Sequence, residues 1–406
     1  MISVAEALAR ITRELKPVEP EQVGLTDALG RVLAEDVVAR VTQPPAAVSA
    51  MDGYAVRAAD VAKVPSQLTL IGHVPAGASF AGTVGPGQAV RIFTGAPVPA
   101  GADAIVIQED VDAHAGGKTI GVREGAPVGR YIRPAGLDFK AGEVGLKAGR
   151  VLSVRDIGLA AAMNRPWLKV RRRPRVAILA TGDEIVRPGD PIGPSQIVSS
   201  NGFALGAFVA ACGGTPIDLG IAGDTLEALK SAAAGARGAD FLVTTGGASV
   251  GEHDLVQQAL GEEGLTLDFW RIAMRPGKPL MFGRIAGTPM LGLPGNPVST
   301  IVCALLFLKP ALERLLGVVR APSPATTAVL MRDLPANDRR QDYLRARLSH
   351  TGDGQLGATP FDRQDSSMLS FLAQADCLIV RAPEAPPARA GERVEIVSFG
   401  SGLIGL

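Results

Sequence analysis

The sequence predicts a multidomain α/β protein with a doubly wound domain at its centre, and three observations carry that prediction. First, the apolar runs Val176–Ala180 and Phe241–Val243 end in the glycine-bearing loops Thr181-Gly-Asp-Glu184 and Thr244-Thr-Gly-Gly-Ala-Ser-Val-Gly251, and helical patterns follow. Short apolar runs bounded by glycine and followed by helices read as parallel strands in βα units, whose carboxyl-end loops bind ligands. Second, from 46 to 140 short apolar runs alternate with Gly and Pro clusters, the texture of a small β-rich module. Third, beyond 321 the alternation of strand and helix stops and β-branched runs take over.

In chain order, residues 3–15 predict a helix, because Ser3 and Glu6 have capping-box spacing and Val4, Leu8, Ile11 and Leu15 share a face. Pro17 closes it. A short helical pattern over Thr26–Gly30 leads to Pro44-Pro45, where the β-rich module begins. Inside the module, Leu68–Ile71, Ala89–Phe93 and Ala104–Ile107 are strand candidates. A helix over 151–163 follows, with Ser153 and Asp156 as its cap pair. Helices on both sides of the module suggest that 1–45 and 141–173 form one layer into which 46–140 is inserted. Residues 174–318 are the α/β domain. Its strands are placed at 175–180, 216–221, 240–244, 265–272 and 279–282, and its helices at 201–211, 226–234, 254–260 and from Val298. Residues 319–406 carry strand runs Thr327–Met331, Tyr343–Leu348, Leu378–Val380 and Val394–Val397, hence a small all-β domain.

Composition removes several function classes. Hydrophobic residues make up 47% and charged residues 20%, a globular balance. The 41 basic residues nearly cancel the 40 acidic ones, so no nucleic-acid or membrane-surface partner is indicated, and Arg171-Arg-Arg173 reads as a solvated linker. Three cysteines without C-x-x-C spacing support neither a disulfide framework nor a thiolate metal site, and fit a reducing cytoplasm. Cys212 and Cys303 fall in apolar helical patterns and read as core. No signal-peptide pattern opens the chain, and its most apolar run, Val298–Leu308, is too short to span a bilayer.

The chemistry-bearing residues gather at the strand ends. The loop 246–251 lets backbone amides approach an anion and suits a phosphate, yet it matches neither the dinucleotide nor the P-loop fingerprint. Alone it is ordinary turn chemistry. Asp183, Glu184 and Asp254 add hard oxygen donors of the kind Mg²⁺ uses beside substrate phosphates, and Asp224 joins them or caps a helix. His253, without a paired ligand, reads as loop packing. Arg275-Pro-Gly-Lys-Pro279 holds two cations in a chain stiffened by proline, which suits a small oxyanion, and Leu293-Pro-Gly-Asn-Pro-Val-Ser299 is a second rigid turn entering a helix. Asp52-Gly53 has the composition of a turn.

Six stretches in order then resemble the MoeA-type molybdopterin molybdenumtransferases, the family that includes the C-terminal domain of gephyrin. They are Ser49-Ala-Met-Asp-Gly-Tyr-Ala-Val-Arg57, Phe93-Thr-Gly-Ala-Pro-Val-Pro99, Thr181–Glu184, Thr245–Asp254, Arg275–Pro279 and Gly292–Ser299. The resemblance covers essentially the whole chain. It implies an elongated helical and strand layer, an inserted β module, a molybdopterin-binding α/β domain and a C-terminal β barrel. It also implies a cytoplasmic homodimer whose active site combines the α/β domain of one subunit with the inserted module of the other. The implied reaction takes adenylylated molybdopterin, releases AMP with Mg²⁺ and molybdate, and inserts molybdenum at the dithiolene. Transient contacts with the adenylyltransferase that supplies the substrate and with apo-molybdoenzymes follow from the same chemistry.

By motif, the resemblance implies catalytic roles for Asp52, Asp138, Glu184, Asp224, Asp254 and Lys278, with Glu184, Asp224 and Asp254 on the metal. Substrate contacts are implied for Thr94, Thr181, Asp183, Gly246, Gly247, Ser249, Gly251, Pro294 and Pro297. Molybdate is implied at Arg275, Lys278, Pro279, Ser299, Arg345, Ser366 and Ser367. The sequence departs from the family pattern at Pro44-Pro-Ala-Ala-Val-Ser49, where many members have Pro-Pro-Phe-Asp-Asn-Ser, and at Leu137 in Gly136-Leu-Asp138. Both departures lie in the inserted module. The resemblance to gephyrin keeps a pterin-binding scaffold open as a second reading, and a nucleotidyl-phosphate hydrolase that uses the same carboxylates and Mg²⁺ but ignores molybdate is a third.

Overall fold

The computed structural model describes residues 1–75, 77–114, 116–223, 225, 227, 234–246, 265–320 and 324–399. Helix α1, Val4–Arg13, starts where Ser3 Oγ accepts the Glu6 amide at 3.1 Å. Its apolar face, Val4, Ala7 and Ile11, packs into the core of the α/β domain beside Phe307 and Leu312. The pattern expected over Thr26–Gly30 is a single 3₁₀ turn, Leu25–Asp27.

Two antiparallel ladders join the chain before the module to the chain after it. Pro20–Gly24 pairs with Trp167–Arg171, and Val37–Val38 pairs with Val144–Leu146. They enclose a core of Leu33, Phe139, Leu152, Met163 and Val170, against which α2, Val154–Ala162, packs. A reciprocal capping box starts α2: Asp156 Oδ2 accepts the Ser153 amide and hydroxyl, both at 2.8 Å, and Oδ1 meets Arg150 at 2.9 Å. Burial alone would raise the Asp156 pKa, but the Ser153 amide, the Arg150 guanidinium and the Ser153 hydroxyl hold it below the ordinary aspartate range. A lowered carboxylate pKa contributes stability above the unfolded value, about 4, and loses it as pH falls through the folded one. Asp156→Ala is therefore expected to cost about 1–2 kcal/mol at neutral pH. The deficit in urea unfolding should shrink below pH 4; a constant deficit would show that the charge is irrelevant.

The inserted module is a six-stranded sheet in the order Ala104–Ile107, Gly53–Val56, Gln88–Ile92, Ser66–Val74, Thr119–Val122, Val111–Ala113. Asp52-Gly53 is not a turn here, because Gly53 opens a strand. A Cβ on Gly53 would sit 2.1 Å from the Val106 carbonyl, so the close strand approach requires glycine.

The central sheet runs Thr215–Ala222, Arg175–Thr181, Phe241–Thr245, Thr288–Leu293, Met281–Ile285, Leu265–Trp270. The first four strands are parallel; Met281–Ile285 runs antiparallel to them, and Leu265–Trp270 antiparallel to Met281–Ile285. Helix α3, Asn201–Ala211, connects the first two strands in sequence. Thr288–Leu293 was not anticipated, because Gly287 and Pro289 read as punctuation. Its parallel ladder to Phe241–Thr245 starts only at Met290, so the N–H that Pro289 lacks falls outside it. The long helix expected from Val298 is Pro297–Cys303, a π-helical segment Ala304–Leu308, and Lys309–Leu315. The helices expected at 254–260 and over most of 226–234 lie outside the described residues.

The C-terminal strands close into a five-stranded barrel. Gln341–His350 pairs with Leu356–Pro360, which pairs with Thr327–Leu330; this pairs with Arg393–Ser398, then Cys377–Arg381, which returns to Gln341–His350. Leu356–Pro360 is the strand the sequence pattern did not separate from the Thr351–Gly354 turn. The short strand Met274–Arg275 of the α/β domain pairs in parallel with Gln341–Asp342, and Tyr343 and Leu378 complete the α/β core. Cys303 and Cys377 are buried and Cys212 half-buried, all as free thiols.

Candidate functional site

Chain order reverses between Arg175–Thr181 and Phe241–Thr245, since the next strand after each lies on opposite sides. That is the switch point at which open α/β sheets bind ligands. A cleft of about 480 Å³ opens there, lined by Thr181, Glu184, Gly246, Pro279, Pro294, Pro297 and Ser367 among others. Seven of the sequence-predicted site residues are thus brought to one place.

Its floor is fixed by side chains the sequence reading did not single out. Asn201 Nδ2, in the first turn of α3, donates to Thr245 Oγ1 at 2.9 Å and to the Gly295 carbonyl at 2.7 Å. Thr300 Oγ1 donates to the Pro294 carbonyl at 2.6 Å. Three loops are thereby tied together before any ligand arrives. Gly246 has φ +95°, and a Cβ there would lie 2.2 Å from the Thr181 carbonyl, so the two strand ends touch through backbone. The Thr181 hydroxyl is buried without a hydrogen-bond partner among the described residues. Leaving a buried hydroxyl unpaired costs about 1–3 kcal/mol, a cost that a ligand oxygen in the cleft would remove.

Glu184 is exposed at the cleft, and its carboxylate makes no hydrogen bond or ion pair among the described residues. Asp183 Oδ1 lies 2.8 Å from where a Gly223 Cβ would be, against the segment leading to Asp224. Asp224, Gly247, Ser249, Gly251, His253 and Asp254 lie outside the described residues.

The barrel reaches the cleft through the loop 363–368. Asn296 Nδ2 donates to Ser366 Oγ at 2.9 Å, and the Val298 amide donates to the Ser366 carbonyl at 3.1 Å. Arg345 is 1% exposed, and its guanidinium donates to the Met368, Asp365 and Arg363 carbonyls and to Gln364 Oε1. Burial lowers its pKa from the ordinary arginine value. Arg345 therefore organises the loop that presents Ser366 and Ser367. Ser299 is buried in the first turn of its helix, 4% exposed.

Arg275 is held by Asp342 and, at 3.5 Å, by Asp338. Lys278 lines an adjoining concavity of about 440 Å³ with Asp338, Arg339 and Arg340. Its ammonium has no partner among the described residues. The Arg275–Pro279 turn thus presents Pro279 to the cleft and Lys278 to its flank.

A concavity of about 660 Å³ lies on the inserted module and shares no residue with the switch-point cleft. Pro44, Pro45, Ala46, Leu137 and Asp138 line it. Nearby, Asp52 Oδ1 accepts the Thr94 amide and hydroxyl, each at 2.7 Å. The amide, then the hydroxyl, holds the Asp52 carboxyl below its usual range. The two carboxylates Asp52 and Asp138 therefore sit on the module and Glu184 on the α/β domain.

A switch-point cleft in a doubly wound domain, walled by a closed barrel and accompanied by a separate carboxylate-bearing module, defines a multidomain small-molecule-binding protein. The comparisons make it specific: the chain belongs to the MoeA family. Residues 2–164 match the MoeA N-terminal region (domain I and II), 177–314 a probable molybdopterin binding domain, and 327–399 the MoeA C-terminal region (domain IV). Molybdopterin molybdenumtransferase 2 of Mycobacterium tuberculosis is 36% identical over 98% of this chain and 99% of its own. The molybdopterin molybdenumtransferase of Haemophilus influenzae is 34% identical over 98% and 99%. The crystal structure of the molybdopterin biosynthesis MoeA protein from Pyrococcus horikoshii OT3 superposes with TM-score 0.85 at 29% identity, covering 98% of this chain and all of that one. Among the described residues no helix is long and apolar enough to cross a membrane.

Proposed function

We propose that the chain is a molybdopterin molybdenumtransferase that takes adenylylated molybdopterin and molybdate and releases AMP. The observation that carries this reading is the switch-point cleft, where Thr181, Glu184 and Gly246 meet Pro279 and the barrel's Ser367. One end suits a phosphate and the other lies beside the rigid cation turn. Near-full-length relatives named for this activity support it.

In this reading the Thr181 hydroxyl and the Gly246 backbone bind the substrate phosphates, and Pro279 with the 363–368 loop shapes the dithiolene end. Lys278 supplies positive charge to molybdate. Arg345 acts as a positioning residue, holding Ser366 and Ser367. Hard carboxylate oxygens at Asp183 and Glu184 suit Mg²⁺ in type, and Glu184, with Asp224 and Asp254, would hold it. Bound Mg²⁺ would neutralise phosphate charge as the anhydride breaks. Since Asp138 borders a concavity apart from this cleft and Asp52 sits on the same module, a second subunit supplying them completes the site in a homodimer.

The test is AMP release from adenylylated molybdopterin with Mg²⁺, with and without molybdate, followed by transfer of the product to an apo-molybdoenzyme. Molybdate-dependent release with transferable product supports the reading. Release indifferent to molybdate would favour a hydrolase, and tight binding without release would favour a scaffold, a reading to which the apolar Ala46 and Leu137 in the module concavity lend weight. Lys278→Ala is expected to reduce molybdate-dependent product formation about 100-fold, the scale of losing one charged donor to an oxyanion. Its far-UV spectrum and melting temperature should stay put. Wild-type activity in this variant removes Lys278 from the molybdate set.

A further inference from the structure

Another concavity, of about 530 Å³, lies at the opposite end of the strands Arg175–Thr181 and Phe241–Thr245 from the switch-point cleft. Arg175 and Thr215 open two neighbouring parallel strands there, and Gly238 precedes a third. No residue is shared with the cleft. Four arginines line it, Arg31, Arg172, Arg173 and Arg175, against one carboxylate, Glu21. Two of the four are already satisfied. Arg31 pairs with Glu21, while Arg172 forks onto Asp240 through two bonds of 2.7 Å and reaches Glu19 at 2.9 Å. Arg173 and Arg175 are exposed, and neither guanidinium makes a hydrogen bond or ion pair among the described residues; Asp240 acts on Arg175 only from beyond ion-pair distance. The run Arg171-Arg-Arg173 is therefore no uniform solvated linker. Arg171 Nη1 donates to the Val18 carbonyl at 3.0 Å and Arg172 is clamped, which leaves Arg173 alone to meet a ligand.

We propose that this concavity binds a phosphate dianion, free or as the end of a small phosphorylated metabolite, between the guanidinium groups of Arg173 and Arg175. The inference stands apart from the transferase reading. The backbone beneath the two arginines is pinned at three points. The Arg172 amide donates to the Glu19 carbonyl at 3.0 Å, the Arg175 amide to Asp240 Oδ2 at 2.7 Å, and the Thr215 amide to the Pro174 carbonyl at 2.7 Å. A residue before proline is held extended, so Arg173 and Arg175, two positions apart, project to the same side. Donors fixed in this way pay little ordering cost when a ligand arrives. Gly238 has φ +80°, and a Cβ there would lie 4.0 Å from Arg175 Nη1, so glycine keeps the space beside that guanidinium bare. Thr215, exposed at the rim, adds a hydroxyl donor. A tetrahedral dianion has oxygens enough for both guanidinium forks, whereas a single carboxylate is used up by one. The volume falls within the range of small-molecule sites.

The test is equilibrium dialysis of radiolabelled inorganic phosphate against the full-length protein, repeated with glycerol 3-phosphate, at constant ionic strength because exposed charges are screened by salt. Since the switch-point cleft takes phosphate in the reading above, the quantity read is the number bound per chain. Arg173→Gln/Arg175→Gln should bind one fewer than the wild type. Each single variant should weaken that site about tenfold, the scale of one charged hydrogen bond. Thr215→Glu removes no arginine but offers the fork a tethered carboxylate, and should match the double variant. Arg13→Gln/Arg155→Gln removes the same charge from exposed positions elsewhere and should leave the count unchanged. Tighter binding of glycerol 3-phosphate at this site makes a phosphorylated metabolite the ligand, and phosphate bound at least as tightly makes it the free anion; either supports the proposal. An unchanged count in both the double variant and Thr215→Glu overturns it. So does an equal loss in the charge-matched control, which would assign the binding to general surface potential.

Discussion

Glu184→Gln is expected to lower AMP release from adenylylated molybdopterin about 100-fold while leaving the fold intact. The carboxylate stands at the strand end bordering the cleft, exposed and without a partner among the described residues. Nothing in the resting protein depends on its charge. The amide is isosteric but neutral, so it removes a hard anionic donor without opening a cavity. A 100-fold loss corresponds to about 2.7 kcal/mol of transition-state stabilisation. A partnerless surface substitution typically moves stability by no more than about 0.5 kcal/mol, so the melting temperature should shift by about 1–2 °C at most. A metal titration separates causes: raised Mg²⁺ should recover part of the rate if Glu184 holds the ion. Full activity at low Mg²⁺ would exclude that role.

Gly246→Ala should damage both activity and stability. At φ +95° an alanine carries strain of about 1–3 kcal/mol, and its Cβ would meet the Thr181 carbonyl at 2.2 Å. That obstacle is main chain, so no rotamer change relieves it, and the two parallel strand ends must separate. The separation would also pull on Thr245, which Asn201 ties to the Gly295 loop. We expect a loss of about 2–4 kcal/mol in denaturant unfolding and AMP release reduced more than 100-fold. Gly189→Ala is the matched control. It has nearly the same φ, +94°, with nothing within 4 Å of the new Cβ, so only strain remains. It should lose about 1 kcal/mol and keep its activity; equal damage in both variants would show that strain, and not contact, governs the site.

The sequence was most informative where local pattern and tertiary role coincide. Val176–Ala180 and Phe241–Val243 are buried on both faces, and such strands read as continuous apolar runs. Thr288–Leu293 is as central, but Gly287 and Pro289 interrupt the run at its start, and only the start of the ladder at Met290 shows why Pro289 is tolerated. Leu356–Pro360 closes the barrel with an alternation too short to stand out. For the site, the motif residues Thr181, Glu184, Gly246, Pro279, Pro294 and Pro297 meet in one cleft, since each lies in a loop that the sheet order brings together. Asn201 and Asn296 carried no signal: an asparagine that ties loops looks in sequence like one that caps a helix. The resemblance put Arg345 in the molybdate set, and only its burial among carbonyls reveals that it organises a loop.

That buried arginine has a thermodynamic corollary. Its carbonyl partners belong to the loop that carries Ser366 and Ser367, and its own strand is part of the barrel wall. Unfolding the barrel dissolves the loop, and whatever binds the loop opposes unfolding of the barrel, by RT ln(1 + [L]/Kd) for a ligand at concentration [L]. Barrel folding and ligand occupancy are thus linked functions, so calorimetric melting of the C-terminal domain serves as a thermometer for a site that lies largely in another domain.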